Sequence, residues 1–303
     1  MIVTTLPYPT PCEQYIRDQL SRGVPDTVVW KTFPSGELYV RFLSIEKEVV
    51  IVGRTWGSAE NLWKTLLLVH TAKQNGATYI VLVLPYFAYS RQDRQRLEGE
   101  PLSGALLAQL FATAGADKII SIDLHSKRIQ DASPIPLLSI SFVEELATAF
   151  RKEPGIPKNI TVVAPDKGAK DHSDTFAHLL EAGKQCIWIE KERDPYTGEV
   201  HYRAFHGASH NGSAVLLDDM LDTGGTIEES VRVLRERGFH DLSLCVTHPI
   251  FSGDASVRIK ALGFSHIFVS DTIPLSPSVA ALPGIHVVPA GHLLVSRIKA
   301  SLF

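Results

Sequence analysis

Three carboxylates and a loop of glycine and threonine stand close together late in the chain. The residues are, in order, Asp218, Asp219, Asp222, Thr223, Gly224, Gly225 and Thr226, and they follow an apolar run and precede a helical pattern. Glycines let a backbone wrap a phosphate, threonine hydroxyls add donors, and a helix N-terminus offers N–H groups and a positive dipole end. Carboxylates near that phosphate accept hydrogen bonds from sugar hydroxyls. The pattern indicates a sugar-phosphate site; the alternative is a plain turn in which Thr226 and Glu229 form a capping box.

A basic stretch follows the apolar run Tyr79–Leu84. Arg91 offers a fork of donors for phosphate, and Gln92 can hydrogen-bond a base or a phosphate. Three aromatic residues beside them could provide a stacking face for a base: Tyr86, Phe87 and Tyr89. These features favour a nucleotide-binding loop, and the alternative is a solvated basic loop.

Two more strand-like runs end in polar residues that could hold a metal ion. Asp123 and His125 alternate with apolar residues, which predicts that both point to one side of an extended segment. Asp166 stands at the tip of the run that begins at Val162. Because Mg²⁺ prefers oxygen ligands and keeps several waters, Asp166 is a candidate ligand, direct or through water, and His125 a less usual one.

Two cations precede a turn that is typical of a hairpin. Lys191 and Arg193 are two residues apart, the turn Asp194–Gly198 follows, and residues 199–203 then alternate between polar and apolar. Cations on such a flap can close over a polyphosphate and stabilise charge that develops there. The alternative is a charged hairpin on the surface.

The chain also contains a turn, Phe33-Pro34-Ser35-Gly36-Glu37, which proline and glycine suffice to explain as a loop. The P-loop pattern Gly-x-x-x-x-Gly-Lys-Ser/Thr is absent from the sequence, which disfavours a P-loop kinase. Cys/His spacing for zinc and Gly-x-Ser-x-Gly are absent too.

Strand-like and helical segments alternate along the chain, which predicts an α/β fold with mostly parallel sheets flanked by helices. The predicted strands are Val49–Gly53, Tyr79–Leu84, Lys118–Leu124, Asn159–Ala164, Gln185–Glu190, Ala214–Leu217, Leu242–Thr247 and His266–Ser270. The predicted helices are Ala59–Gln74, Gly104–Ala114, Ser141–Arg151, Gly168–Ala182, Thr226–Arg237, Asp254–Leu262 and Leu293–Leu302. The pattern runs twice, which predicts one domain over residues 1–140 and a second over 141–290, with the helix in 291–303 able to join the first.

Composition narrows the class of protein. The 303 residues are 45% hydrophobic and 21% charged, which is ample for two domains, and a net charge of −3 offers no broad surface for nucleic acid. The three cysteines, Cys12, Cys186 and Cys245, are few, odd in number and far apart, which favours reduced thiols in a cytoplasmic protein. No apolar run approaches the ~18 residues of a membrane span, and the N-terminus lacks the pattern of a signal peptide.

Taken together, these motifs resemble the ribose-phosphate pyrophosphokinase family, also called phosphoribosyl pyrophosphate synthetases. The resemblance covers nearly the whole chain and rests on four features in the family's order: Ser90-Arg-Gln-Asp-Arg94, Asp123-Leu-His-Ser126, Lys191-x-Arg193 and Asp218-Asp-x-x-Asp-Thr-Gly-Gly-Thr226. It implies two tandem type I phosphoribosyltransferase-like domains. It also implies that the β,γ-diphosphoryl group of ATP is transferred to the 1-hydroxyl of ribose 5-phosphate, with release of AMP, for nucleotide biosynthesis.

The resemblance implies roles for residues at matching positions. The adenine contacts would be Phe33, Ser35, Gly36 and Glu37, reaching across from a neighbouring subunit of a homo-oligomer built from dimers. Arg91 and Gln92 would hold ATP, and His125 and Asp166 would lie at Mg²⁺. Lys191 and Arg193 would be catalytic, Arg193 also contacting the sugar phosphate. Ribose 5-phosphate would be bound by Asp218, Asp219, Asp222, Thr223, Gly224, Gly225 and Thr226.

The chain departs from the family pattern in places that bear on specificity and regulation. The family usually has Asp or Asn where this chain has Ser35, and commonly Gly-Phe where it has Asp131-Ala132. The loop Asp166–His172 resembles the archaeal branch, which implies weak inhibition by ADP and little dependence on free phosphate.

Three rival functions remain open from the sequence. A phosphoribosyltransferase shares the loop after Asp218 but lacks the first unit with its Arg91–Gln92 loop. A non-catalytic regulatory relative would bind the same ligands without turnover, and the retained Lys191 and Arg193 argue against it. An enzyme for another ribose 5-phosphate ester is disfavoured by the intact loop Thr223–Thr226, which suits a free terminal phosphate.

Overall fold

The chain folds into two α/β units. The structure is a computed structural model. It describes residues 2–21, 28–157, 159–182, 186–193, 200–207 and 212–302, with the backbone only at 191–193, 200 and 201. The first unit comprises residues 1–140 and 289–303, and the second comprises residues 141–288.

Strands and helices alternate from end to end. The elements up to residue 140 are β1 (Ile2–Thr5), α1 (Pro11–Ser21), β2 (Val28–Thr32), β3 (Leu38–Phe42), β4 (Glu48–Val52), α2 (Ala59–Gln74), β5 (Tyr79–Leu84), α3 (Ser103–Ala114), β6 (Lys118–Ile122), α4 (Lys127–Ala132) and β7 (Leu137–Ile140). The remainder are α5 (Val143–Lys152), β8 (Thr161–Ala164), α6 (Lys170–Leu179), β9 (Ile187–Arg193), β10 (Val200–His206), β11 (Gly212–Leu221), α7 (Gly225–Glu236), β12 (Phe239–Pro249), α8 (Ala255–Leu262), β13 (His266–Ser270), α9 (Pro277–Ala280), β14 (Ile285–Val288) and α10 (Gly291–Leu302).

The first unit is built on a parallel five-stranded sheet in the order β1-β4-β5-β6-β7. Strand β5 is buried along nearly its whole length, as expected for a parallel strand that helices cover on both faces. Strands β2 and β3 form a separate antiparallel hairpin, whose Trp30 and Phe42 pack against the core of this unit. Helix α10 returns to the first unit and packs on α1, with Gly291 against the ring of Tyr15.

The second unit is built on a seven-stranded sheet in the order β10-β9-β8-β11-β12-β13-β14. All pairs are parallel except β9 with β10, which form an antiparallel hairpin. From β8 the chain moves outward to β9 and β10, then returns to β11 and continues the other way. The strand order therefore reverses between β8 and β11, and ligands of such sheets bind beyond the carboxyl ends of the strands at that point.

The α/β prediction with mostly parallel sheets is confirmed, and three of its segments have the predicted bounds: Tyr79–Leu84, His266–Ser270 and Ala59–Gln74. Several elements were not predicted, namely α1, α4, α9, the hairpin β2–β3 and the four-residue strands β1, β7 and β14. Strand β11 is longer than predicted and ends at Leu221, so Asp218 and Asp219 lie within the strand.

Among the described residues, no helix is both long and apolar enough to cross a membrane.

Candidate functional site

Carboxylates gather where the strand order of the second unit reverses. Asp218 lies on β11, and Asp166 follows the end of β8, the neighbouring strand. Burial raises the pKa of the Asp218 carboxyl well above its usual range, and the negative charges of Asp219 and Asp166 raise it further. One oxygen of Asp166 accepts hydrogen bonds from the N–H groups of Gly168 (2.8 Å) and Ala169 (3.1 Å), which fixes the loop before α6. The arrangement concentrates negative charge that a cation or sugar hydroxyls can offset.

The loop after β11 leads directly into a helix N-terminus. Helix α7 begins at Gly225, and its N-cap is Gly224 at φ +81°, a left-handed conformation that L side chains rarely adopt. The N-cap contributes no side chain to the first N–H groups of the helix, so the helix start can receive an anion. Thr226 lies inside the first turn of α7, and Gly224 is the N-cap. The alternative of a capping box with Thr226 as its N-cap is therefore wrong.

The neighbouring segments hold the loop Asp222–Thr226, the predicted phosphate loop, in place. The N–H of Phe251 donates to Leu221 O (2.9 Å), and the N–H of Ser252 donates to Asp222 O (3.1 Å). Arg258 on α8 lies against the loop: its Nη1 would be 3.5 Å from a Cβ placed on Gly225. Its Nε also lies 3.3 Å from Oε2 of Glu228 in the first turn of α7. Arg258 was not predicted as a site residue, since its segment shows only a helical pattern without a phosphate motif.

The predicted flap is an antiparallel hairpin of β9 and β10. At its base the rings of Trp188 and His206 stack with centroids 3.9 Å apart, and His206 Nε2 lies 2.8 Å from Glu190 Oε2. Lys191 and Arg193 belong to β9, but their side chains, like the turn 194–199, lie outside the described residues.

The predicted nucleotide loop follows β5 in the first unit. Arg91 and Gln92 are exposed, and the N–H of Gln92 donates to Tyr89 O (2.9 Å), closing a turn in which Tyr89 has φ +63°. The predicted stacking face is wrong for two residues, because Tyr86 and Phe87 are buried at 7% and 1% exposure. Only Tyr89 of the three remains accessible, at 42% exposure.

His125 follows the adjacent strand β6 and lies near the same loop. Asp93 Oδ2 and Arg128 Nη1 are 3.6 Å apart, which ties the Arg91 loop to α4, the helix that begins just after His125. The prediction that Asp123 and His125 point to one side is wrong, because β6 ends at Ile122 and Asp123 has φ +32° in a turn. Asp123 is buried and His125 is exposed.

The Phe33–Glu37 turn joins β2 to β3 at the tip of their hairpin. Phe33 and Glu37 close it through a backbone hydrogen bond of 2.8 Å, Gly36 takes φ +87°, and Ser35 Oγ donates to Glu37 Oε2 at 2.9 Å. Phe33 is 38% exposed at this tip. The turn therefore presents an aromatic ring and polar groups to solvent.

Comparison with known proteins gives a consistent picture. Residues 2–115 match the family model of the N-terminal domain of ribose phosphate pyrophosphokinase, and residues 204–300 match that of the phosphoribosyl synthetase-associated domain. The chain is 32% identical over 302 residues to the ribose-phosphate pyrophosphokinase of Corynebacterium efficiens, covering 99% of this chain and 91% of the relative. It is 32% identical over 248 residues to that of Methanothermobacter thermautotrophicus, covering 80% and 84%.

A solved structure agrees with these relatives. The crystal structure of phosphoribosylpyrophosphate synthetase from Mycobacterium smegmatis superposes with a TM-score of 0.86 at 27% identity, covering 100% of this chain and 98% of that one.

Proposed function

Because the chain belongs to the ribose-phosphate pyrophosphokinase family, we propose that it transfers the β,γ-diphosphoryl group of ATP to the 1-hydroxyl of ribose 5-phosphate. The products are 5-phosphoribosyl 1-diphosphate and AMP, for use in nucleotide biosynthesis. The observation that carries the proposal is the carboxylate cluster beside the phosphate loop, at the point where the strand order reverses. A phosphate monoester and a polyhydroxylated sugar suit that arrangement together.

Ribose 5-phosphate is assigned to the second unit. The loop from Asp222 to Thr226 and the start of α7 receive the 5-phosphate, while Asp218 and Asp219 accept hydrogen bonds from the ring hydroxyls. The raised pKa of Asp218 supports this role, because a crowded carboxylate gains most when a hydroxyl donor or a cation offsets its charge.

ATP is assigned to the Arg91–Gln92 loop of the first unit and to the Phe33–Glu37 turn of a neighbouring subunit. The exposed hairpin tip supports this second assignment, since Phe33 is presented outward with Ser35 and Glu37 beside it. The protein is accordingly a homo-oligomer built from dimers. It is assigned to the cytoplasm on the strength of its few, buried cysteines.

Mg²⁺ is the metal that suits the residues present. Asp166 offers a carboxylate next to Asp218, and hard oxygen donors of this kind are the ligands that Mg²⁺ prefers. For His125 of the first unit, a role at Mg²⁺ is proposed only from the family motif Asp123–Ser126. Bound with ATP, Mg²⁺ would reduce the negative charge of the triphosphate.

The protein contributes positioning and charge. The 1-hydroxyl oxygen forms a bond to the β-phosphorus as the bond from that phosphorus to the oxygen of AMP breaks, and the hydroxyl proton is released to solvent. Lys191 and Arg193 stabilise charge on the transferred group and the leaving oxygens, and the hairpin that carries them is anchored on α7 by the Arg237–Tyr202 hydrogen bond of 2.6 Å. Most of the rate enhancement then comes from orientation and electrostatic stabilisation.

The direct test is incubation of the protein with ATP, Mg²⁺ and ribose 5-phosphate, followed by separation of the nucleotides. AMP formed in proportion to consumed ribose 5-phosphate, and absent without it, is the expected result. Binding of either substrate with no nucleotide change would favour the regulatory relative instead.

A further inference from the structure

Two histidines lie on one face of the second unit's sheet, at the edge where β13 and β14 begin. His266 is the first residue of β13, and Phe268 pairs in register with His286 on the parallel strand β14. Because side chains alternate along a strand, His266, Phe268 and His286 share a face. The rings confirm this: those of Phe268 and His286 stack with centroids 4.6 Å apart, and those of the two histidines are 5.7 Å apart.

Helix α5 covers the same face and brings a carboxylate to the histidines. Phe150, fully buried, packs edge-on against Phe268 with ring centroids 5.4 Å apart. Glu153 follows three residues later, so it lies on the same side of the helix as Phe150, at the C-terminal end. Its Oε2 is 3.4 Å from Nδ1 of His286.

The three side chains lie close enough to one another to bind a single metal ion. One ligand atom from each of Glu153, His266 and His286 lies within 4.8 Å of the others, and all three residues are half-buried. Tetrahedral zinc, at about 2.0–2.1 Å from nitrogen or oxygen, holds its ligand atoms about 3.4 Å apart. The His286–Glu153 pair already has that spacing, and a ring nitrogen of His266 lies within 4.8 Å of both partners.

A buried nitrogen of the cluster lacks a partner. Nδ1 of His266 is shielded from solvent and has no hydrogen-bond partner within the described part of the chain. A buried polar atom left in this state costs free energy. Coordination of an ion through Nδ1 would supply the missing partner. The stacking of His286 on Phe268 fixes the orientation of the second imidazole ring.

We propose that Glu153, His266 and His286 form a second metal site, which binds a divalent transition metal such as Zn²⁺. Two imidazoles and one carboxylate suit zinc and its first-row neighbours, whereas Mg²⁺ prefers oxygen ligands alone. The site is separate from the substrate residues of this unit, because it lies where β13 begins while the phosphate loop follows the carboxyl end of β11. The four steps from His266 to Ser270 alone span about 13 Å.

The bound ion ties three elements together. It joins the end of α5 to the first residues of β13 and β14, which are also held by strand pairing and by the packing of Phe150 on Phe268. The turn at Gly284 precedes β14. That glycine has φ +68° and carries its backbone so close to Ser265 that a Cβ would lie 2.4 Å from Ser265 O. The ion therefore stabilises the folded chain, and this stabilisation grows with the logarithm of the ion concentration once that concentration exceeds the dissociation constant.

The test is zinc binding by the full-length protein after treatment with a chelator, without nucleotide or sugar phosphate. Bound zinc is measured by equilibrium dialysis, and the melting temperature is followed in the same samples. We expect one tight equivalent per chain and a melting temperature that rises with zinc. Glu153→Gln, which keeps the shape of the side chain, should weaken that equivalent by at least the roughly 10- to 100-fold typical of losing an outer-shell partner, and should reduce the rise in melting temperature accordingly.

Matched controls separate this site from other histidines and acids. His240→Gln removes an exposed histidine elsewhere in the unit, and Asp218→Asn alters the substrate carboxylates; both should keep the tight equivalent. His286→Gln should lose it, with circular dichroism confirming that the variant is folded. If wild type and Glu153→Gln bind zinc equally, or if Asp218→Asn alone removes the equivalent, the proposed site is wrong.

Discussion

The left-handed residue at the start of α7 gives the sharpest test of the phosphate loop. Gly224 sits at φ +81°, while a Cβ placed on it would meet Arg258 Cδ at 3.4 Å and Ile259 Cδ1 at 3.5 Å, which are ordinary contacts. The space is therefore sufficient for alanine, and the cost of Gly224→Ala is backbone strain of about 1–2 kcal/mol. In the free protein the loop can relax away from that conformation, and binding must then restore it.

The strain translates into a measurable loss of affinity. Since each 1.4 kcal/mol is tenfold in a binding constant, Gly224→Ala should weaken ribose 5-phosphate binding by about 5- to 30-fold. The assay is calorimetric titration of ribose 5-phosphate in the absence of ATP. Gly224→Asn should lose less, because asparagine tolerates the left-handed region better than alanine.

A second glycine provides the control. Gly263, at φ +65°, is the C-cap of α8, and the nearest atom to its Cβ position is Arg235 Nη2 at 3.9 Å. Gly263→Ala should therefore reduce the free energy of unfolding by a similar amount and leave ribose 5-phosphate affinity unchanged. Wild-type affinity in Gly224→Ala, or equal losses in both variants, would refute the assignment of this loop to the phosphate.

Three further predictions concern charge and regulation. Asp218→Asn should raise the free energy of unfolding at pH 7, because the raised pKa of this carboxyl makes its ionisation costlier in the folded than in the unfolded chain. This gain in unfolding free energy should shrink as the pH falls through that raised pKa and vanish below about pH 4, where the carboxyl is protonated in both the folded and the unfolded chain. Urea denaturation at a series of pH values measures the gain, and a gain that persists at low pH would contradict the ionisation of Asp218 as its cause. Lys191→Ala should lower turnover on the order of a hundredfold or more while ribose 5-phosphate still binds, and near-normal turnover in steady-state assays would remove the hairpin from the mechanism. ADP should inhibit weakly, as expected from the loop Asp166–His172; strong inhibition at sub-saturating ATP would contradict that expectation.

The strongest features of the site could be predicted from residue types because they obey local rules. An apolar run that ends in acids, glycines and threonines predicts a strand, a tight loop and a helix, and the structure has β11, Gly224 and α7 in that order. Long apolar or periodic segments likewise predict a single type of element: a strand for Tyr79–Leu84 and a helix for Ala59–Gln74. Four-residue strands such as β1 and β7 carry too few side chains to show a periodic pattern. Whether such a segment forms a strand therefore depends on its pairing with neighbouring strands.

What the sequence could not predict depends on tertiary contacts. Tyr86 and Phe87 suggested a stacking face, but Thr55 holds this segment against the core: its Oγ1 donates to Tyr86 O and accepts from the N–H of Ala88, both at 2.9 Å. Arg258 reaches the phosphate loop only because α8 packs beside it. The Glu153, His266 and His286 cluster joins Glu153 to two histidines more than 100 positions further along the chain, so local spacing does not reveal it.

The central claim is that both terminal phosphoryl groups of ATP move together to the sugar. ATP labelled at the β-phosphorus, mixed with Mg²⁺, ribose 5-phosphate and the protein, tests it most directly. The label should appear in an acid-labile diphosphate ester of ribose 5-phosphate, accompanied by unlabelled AMP. Label retained in ADP would mean transfer of a single phosphoryl group and would contradict the account.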